Sequence, residues 1–311
     1  MKKWIVGLLV AAVLAVCSVY VFIPSVIVVS SVRYVRSYQN TVTKVLQDSA
    51  LFNKWWQANT ETDGKNFSYK GFDYHVFRGL SNLAQIQISS NRLSIPSMLI
   101  SLNVYLDSSA LQWNTQLQAS ANPIDRIKQY NEATALKESM EGIMDKLKKY
   151  FDNSANIYGI EVKEIQAKDS LLISTKIKTT EYPGIAQVYQ QVQKLQDYAT
   201  AQGAAPTNSP MLNVTMLGKN DYQVMVGLPI NKVVQQTADI RIKHMPYGGN
   251  MLTANIKGGS YTIQEGIKKL NEYYMDSKRT SPAIPYEMMI TDRMKESDTT
   301  KWETRLYYPV M

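Results

Sequence analysis

The sequence predicts an α+β protein of two domains behind one N-terminal transmembrane helix, the second domain built from a duplicated β-α-β-β unit. Three observations carry this reading. The run Trp4 to Val29 holds no charged residue. The following stretch alternates short β-branched segments and ends in one long helical pattern. The last half of the chain repeats itself at a constant spacing. The expected boundaries are 1–32 for the anchor, 33–153 for the first domain and 154–311 for the second, and 311 residues suit two folded units at roughly 100–200 residues each.

Composition narrows the function classes. A single Cys excludes an intrachain disulfide framework, and with only two His it leaves little for a metal cluster, so no metal and no cofactor are expected. The net charge of +8 is spread along the chain. No Arg-rich stripe is interleaved with aromatics, so nucleic acid is not expected as a partner.

The first element is the anchor. Roughly 20 apolar residues span a bilayer, and Trp4 to Val29 exceeds that even with Pro24 near its end. Lys2 and Lys3 favour an inside start, which puts the rest of the chain outside the cytoplasm, although Arg33 and Arg36 weaken the asymmetry. A cleaved signal peptide remains an alternative, but its apolar core spans about 7–15 residues. Leu14-Ala15-Val16-Cys17 approximates a lipoprotein box with Val16 out of pattern. Fragments beginning near Ser31 are expected to be soluble.

Val26 to Val35 reads as a strand, and Thr41 to Trp56 as short helices. Strands are expected at Phe67 to Phe77, Leu83 to Ser89, Met98 to Leu106 and Ala110 to Ala119, with turns at Asp63-Gly64 and Asp107-Ser108-Ser109. Asn122-Pro123 then opens a helix to about Tyr150, with Asn122 as N-cap and Pro123 in the first helical position. Its apolar stripe, Ile124, Ile127, Tyr130, Ala133, Leu136, Met140, Ile143, Met144, Leu147 and Phe151, must lie against something, and the preceding sheet is the nearest candidate.

That order, with the segment Val45-Leu46-Gln47-Asp48-Ser49-Ala50-Leu51-Phe52-Asn53-Lys54-Trp55-Trp56, resembles the START-like superfamily of polyketide cyclases and lipid-transport domains. The resemblance implies a helix-grip fold with a cavity between sheet and long helix, and thereby a second ligand cavity near Trp55, Trp56, Tyr105 and Trp113. Ordinary core packing is the competing account of these four residues.

In the second domain Gly184 and Gly259, Lys194 and Lys269, Leu195 and Leu270, Tyr198 and Tyr273, and Pro210 and Pro285 are each 75 residues apart. The first copy reads as strand Leu171 to Ile177, helix Gly184 to Thr200, and strands Met211 to Leu217 and Gln223 to Pro229 around Gly218-Lys219-Asn220-Asp221. The second reads as Ile240 to Met245, Tyr261 to Met275, Tyr286 to Thr291 and Trp302 to Tyr308. Side by side, the copies predict one antiparallel sheet with both helices on one face and a cleft on the other.

The motifs Val226-Gly227-Leu228-Pro229-Ile230, Lys257-Gly258-Gly259-Ser260-Tyr261, Pro285-Tyr286-Glu287 and Trp302-Glu303-Thr304-Arg305-Leu306-Tyr307-Tyr308-Pro309-Val310 resemble the GyrI-like effector-binding domain. One departure is that Ile256 or Lys257 stands where the family often has His. The resemblance implies small-molecule binding more than catalysis, with a buried Glu287 that recognises aromatic or cationic ligands together with Tyr261, Trp302 and Tyr307; joined to the N-terminal anchor, this makes a membrane-tethered ligand-binding protein the expectation. A carboxylate among aromatic rings suits a cation physically. The same resemblance leaves two other roles open, a hydrolase of small reactive electrophiles using Glu287 as general base and a protein inhibitor. No catalytic motif supports the hydrolase, since G-x-S-x-G, a Walker loop and H-E-x-x-H are all absent from the sequence. His75 and His244 fall in different expected domains.

Overall fold

The computed structural model describes residues 2–56, 65–80, 82–105, 107–168, 171–245 and 248–311; the Asp63-Gly64 turn lies outside them. The fold mixes helices with two antiparallel sheets. Two compact units divide the chain, Met1–Asn153 and Ser154–Met311.

The first unit begins with helix α1 (Lys2–Phe22), whose apolar side chains are exposed along most of its length. Strand β1 (Val26–Val35), helices α2 (Gln39–Gln47) and α3 (Ser49–Trp55), and strands β2 (Asn66–Tyr69), β3 (Phe72–Leu80), β4 (Leu83–Ser89), β5 (Ser94–Tyr105) and β6 (Ser108–Gln118) follow. The strands pair antiparallel in the order β1-β6-β5-β4-β3-β2. Helix α4 (Pro123–Phe151) packs on this sheet through Ala133, Leu136, Met140, Ile143, Met144, Leu147 and Phe151, all buried, whereas Ile124, Ile127 and Tyr130 of the expected stripe are exposed on its first two turns. It is capped as the sequence suggests, since the Asn122 side chain accepts from the N–H groups of Ile124 and Asp125.

The segment expected as one strand, Phe67 to Phe77, is instead a hairpin. Lys70 and Gly71 both have positive φ, 48° and 80°, which is the geometry of a two-residue turn between twisted strands. The buried positions change phase across it, from Phe67 to Phe72, Tyr74 and Val76. The apolar run therefore hid the turn.

The second unit contains α5 (Ser154–Tyr158), β7 (Lys163–Gln166), β8 (Leu171–Thr179), α6 (Ile185–Ala201), β9 (Met211–Gly218), β10 (Asp221–Pro229), β11 (Arg241–His244), β12 (Asn250–Lys257), α7 (Ser260–Ser277), β13 (Tyr286–Met289) and β14 (Glu303–Pro309). A single 3-10 turn, Thr299–Lys301, precedes β14. The sheet order is β11-β8-β10-β9-β13-β14-β12-β7. Its inner six strands are two copies of one pattern meeting at β9 and β13.

One expected strand of the repeat is corrected here. The second copy starts with β12, which leads directly into α7 as β8 leads into α6, and not with the Ile240 to Met245 segment. That segment forms β11, an added strand on the outer edge of β8. Helix α6 buries Val188, Val192 and Leu195 against β8, β9 and β10, while α7 buries Ile263 and Leu270 against β12 and β14. The opposite face of the sheet carries a separate cluster of Leu172, Met211, Met251, Met288 and Tyr307.

Candidate functional site

Glu287 sits on β13 at the seam between the two copies, where it pairs in register with Leu212 of β9 and Leu306 of β14. Side chains alternate across a strand, so these three share the helix-covered face. The expected cleft on the bare face is thus misplaced for this residue. Glu287 lies between the first turns of α6 and α7, in a small recess bounded by Tyr182, Val188, Tyr189 and Ile263. A cleft of about 350 Å³ leads to it between the β9/β13 seam and α7, past Val214, Gln264, Ile267 and Tyr308. That volume falls in the usual range for small-molecule pockets.

The carboxylate is 5% exposed and is paired. Arg293 Nη2 donates to Glu287 Oε2 at 2.8 Å and to Thr304 Oγ1 at 2.9 Å. Both side chains of the pair are nearly dry, at 8% and 6% exposure. The guanidinium also lies over the Trp302 ring, 5.4 Å from its centroid, a distance at which the ring attracts a cation. Arg293 Nε is buried with no acceptor, so the ion pair is incompletely satisfied.

Electrostatics at the site are dominated by desolvation. Burial pushes the Glu287 carboxyl above the ordinary carboxylate range, while the charge and hydrogen bond of Arg293 pull it partly back. Tyr182 and Tyr189 are both raised, first by burial and further by nearby carboxylates, Glu287 for Tyr182 and Asp292 ahead of Glu287 for Tyr189. The Tyr189 hydroxyl accepts from the Arg293 backbone N–H at 2.7 Å and donates to the Thr291 carbonyl at 3.2 Å. It thereby fixes the loop that presents Arg293.

Of the four residues expected around this site, Trp302 lies beside Glu287's partner Arg293, Tyr307 borders the cleft that leads to Glu287, and Tyr261 stands apart. Trp302 is buried and its Nε1 donates to the Glu296 carbonyl at 2.8 Å, which locks the ring beneath Arg293. Tyr261 is 78% exposed, because Ile263, Gly266 and Leu270 form the buried face of α7 and Tyr261 falls outside that stripe. Tyr307 is buried but one residue out of phase with Leu306, so its ring stacks on Tyr286 at 4.9 Å on the other face of the sheet. Arg293, Tyr182 and Tyr189 take the places next to the carboxylate. None belongs to a motif; the signal was an arginine six residues beyond Glu287 in an otherwise polar loop.

The residues expected around a second cavity pack against one another, except Tyr105. Trp55, Trp56 and Trp113 are all buried, with Trp56 stacked on Phe67 at 4.7 Å and edge-on to Trp113 at 5.9 Å. Trp113 Nε1 donates to Ser97 Oγ at 3.0 Å. Tyr105 is 71% exposed at the end of β5, where the strand has run beyond the covered part of the sheet. The three tryptophans form one aromatic core and Tyr105 stands apart from it.

No family model matches the chain, and no curated protein matches it in sequence. Several solved structures are similar in part. The EcmrR C-terminal domain aligns at 14% identity over 49% of this chain and 98% of its own, with a TM-score of 0.42. The protein SAV2435, solved bound to tetraphenylphosphonium, aligns at 12% identity over 49% of this chain and 94% of its own, with a TM-score of 0.33. A START superfamily protein from Mycobacterium smegmatis aligns at 15% identity over 39% of this chain and 98% of its own, with a TM-score of 0.25.

Proposed function

We propose that this chain is a small-molecule-binding protein held at a membrane by α1, and that the cleft at Glu287 takes an aromatic cation in place of Arg293. One observation carries the reading: the protein's own planar cation already lies between a buried carboxylate and a tryptophan face. A ligand that replaces it keeps the carboxylate compensated. Exchange is aided by the unsatisfied Arg293 Nε, which regains water when the side chain swings out.

The anchor reading rests on how α1 ends. Ile23 is buried in the first unit, its carbonyl accepts from Arg126 Nε at 3.0 Å and also from Nη2, and the Tyr20 hydroxyl donates to the Ala121 carbonyl. The Arg126 guanidinium lies 4.9 Å from the Tyr20 ring centroid. These contacts support a reading in which the end of α1 stays with the folded first unit. With Lys2 and Lys3 inside, both units lie outside the cytoplasm.

The test is calorimetry of tetraphenylphosphonium against the full chain in phosphatidylcholine nanodiscs, with mass spectrometry of the ligand afterwards. Glu287→Gln is expected to weaken binding about tenfold, on the order of 1.4 kcal/mol, and Arg293→Met to strengthen it. Unchanged affinity in both variants refutes the assignment. A chemically altered ligand would turn Glu287 from a counterion into a general base.

A further inference from the structure

The bare face of the second unit's sheet holds a larger cavity than the Glu287 cleft, about 520 Å³. Its floor is Leu172 and Ser174 of β8, Met225 and Gly227 of β10, and Met211 of β9. Met245, Met251, Ile284, Tyr286 and Met311 form its walls. Gly227 matters to its depth, because a Cβ there would sit 3.2 Å from the Leu172 side chain and 3.7 Å from Met211 Cβ. Thioether side chains are unbranched and adjust to the shape of an apolar guest.

One edge of this cavity is cationic. Lys243 of β11 lines it, and its ammonium meets Met225 Sδ at 3.0 Å. Among the described residues Lys243 forms no ion pair with an acid. Lys176 lies opposite Met225 in the register, and Arg241 opposite Ser174, so by strand alternation both share the face of Lys243. Partial burial and repulsion from Lys176 depress the Lys243 ammonium below the usual lysine value. A half-buried ammonium beside apolar volume and beside other cations lacks only an anion.

We propose that this cavity binds a single-chain anionic amphiphile, a long-chain acyl carboxylate, with the chain along the methionine floor and the headgroup on Lys243. The volume and the wall chemistry fit one chain, and the unpaired ammonium at the edge fits one anionic head. The floor of this site lies on the side of the sheet away from Glu287, although the two cavities share Leu212, Asn213 and Tyr286 at the β9/β13 seam, and the proposal does not rest on what the Glu287 cleft binds.

The test is photolabelling of the full chain in phosphatidylcholine nanodiscs with a diazirine-bearing C16 carboxylate, its primary alcohol analogue, and a diazirine-bearing two-chain phosphatidylglycerol, followed by peptide mapping. Carboxylate label is expected on the peptides holding Met211, Met225 and Tyr286, and excess oleate should compete it away. Lys243→Met should lower carboxylate labelling at those peptides about tenfold and leave alcohol labelling unchanged, and Lys243→Arg should retain it. Label confined to α1, or equal carboxylate labelling in wild type and Lys243→Met, overturns the proposal. Stronger labelling of the same peptides by phosphatidylglycerol overturns the single-chain assignment. Tetraphenylphosphonium should not displace the label; displacement would move the acyl chain to the Glu287 cleft and overturn the proposal as well.

Discussion

Glu287 and its repeat-related partner show what one side chain changes. Leu212 and Glu287 are 75 positions apart in sequence and directly opposite each other across the seam, so an otherwise symmetric floor carries a hydrocarbon on one side and a carboxylate on the other. A buried charge must be compensated, and Arg293 does this. Removing one partner of a buried pair costs about 3–5 kcal/mol, so Arg293→Met should lower the melting temperature at neutral pH. The sign of its pH dependence follows from the raised carboxyl of Glu287. A carboxyl raised in the folded state is favourable when protonated and loses that contribution as pH rises through its folded value. Without Arg293 that value climbs further. The gap between variant and wild type should therefore be largest at neutral pH and narrow on acidification, as read by thermal denaturation from pH 7.5 to 5; a gap independent of pH would mean that the carboxylate is not what the arginine compensates. Tetraphenylphosphonium should restore part of the lost stability at neutral pH.

At the scale of elements, patterns confined to one strand or helix were legible and those set by neighbours were not. The bounds of β1 and β4 follow from β-branched runs ended by turn residues, and α4 follows from its cap and stripe. The β2–β3 turn escaped because Tyr69-Lys70-Gly71-Phe72 keeps aromatic residues on both sides of a two-residue bend. Strand β7 is exposed at every position and β12 is buried at most of them, so neither shows alternation. At the site, Glu287 sits in a motif, whereas the motif did not reveal which face Tyr307 occupies: it borders the cleft, yet its ring stacks on Tyr286. Gly266 in α7 illustrates a neighbour's control: a Cβ there would lie 2.7 Å from Ile256 Cδ1 and 3.3 Å from Leu306 Cδ1. Gly266→Ala gains about 1 kcal/mol of helix propensity but overpacks the core at a cost of about 1–3 kcal/mol. Net destabilisation is expected in urea denaturation, and the double-mutant cycle with Ile256→Ala should show non-additivity. Additive effects would contradict the contact.

For the molecule as a whole, composition gave little and arrangement gave much. The +8 charge pointed to no partner, but the structure gathers Lys176, Arg241 and Lys243 onto one face beside an apolar cavity. Sequence could not show this, because β8 and β11 are brought together across more than sixty intervening residues. The membrane proposal belongs at this scale. Full-length protein should remain with membranes through alkaline carbonate washing and be released by detergent; release by carbonate would remove α1 as an anchor. A soluble fragment must begin ahead of Val26, not near Ser31 as the apolar run suggests, because Val26 to Val35 pairs along its length with β6. Cutting at Ser31 would strip Val26 to Ser30 from the edge of the first sheet and uncover Asn114 to Gln118 of β6, with the buried Thr115 and Leu117 among them.

The outer strands of the second sheet give the duplication its closure. Strand β7 precedes the first copy in sequence yet borders the second, and β11 lies between the copies yet borders the first. Each half therefore depends on chain outside itself to cover an open backbone edge, and an excised half would present bare N–H and C=O groups to any passing strand. The two halves are in this sense laced together: neither carries both of its own borders, and where equivalent positions meet face to face, leucine in one copy is set against glutamate in the other.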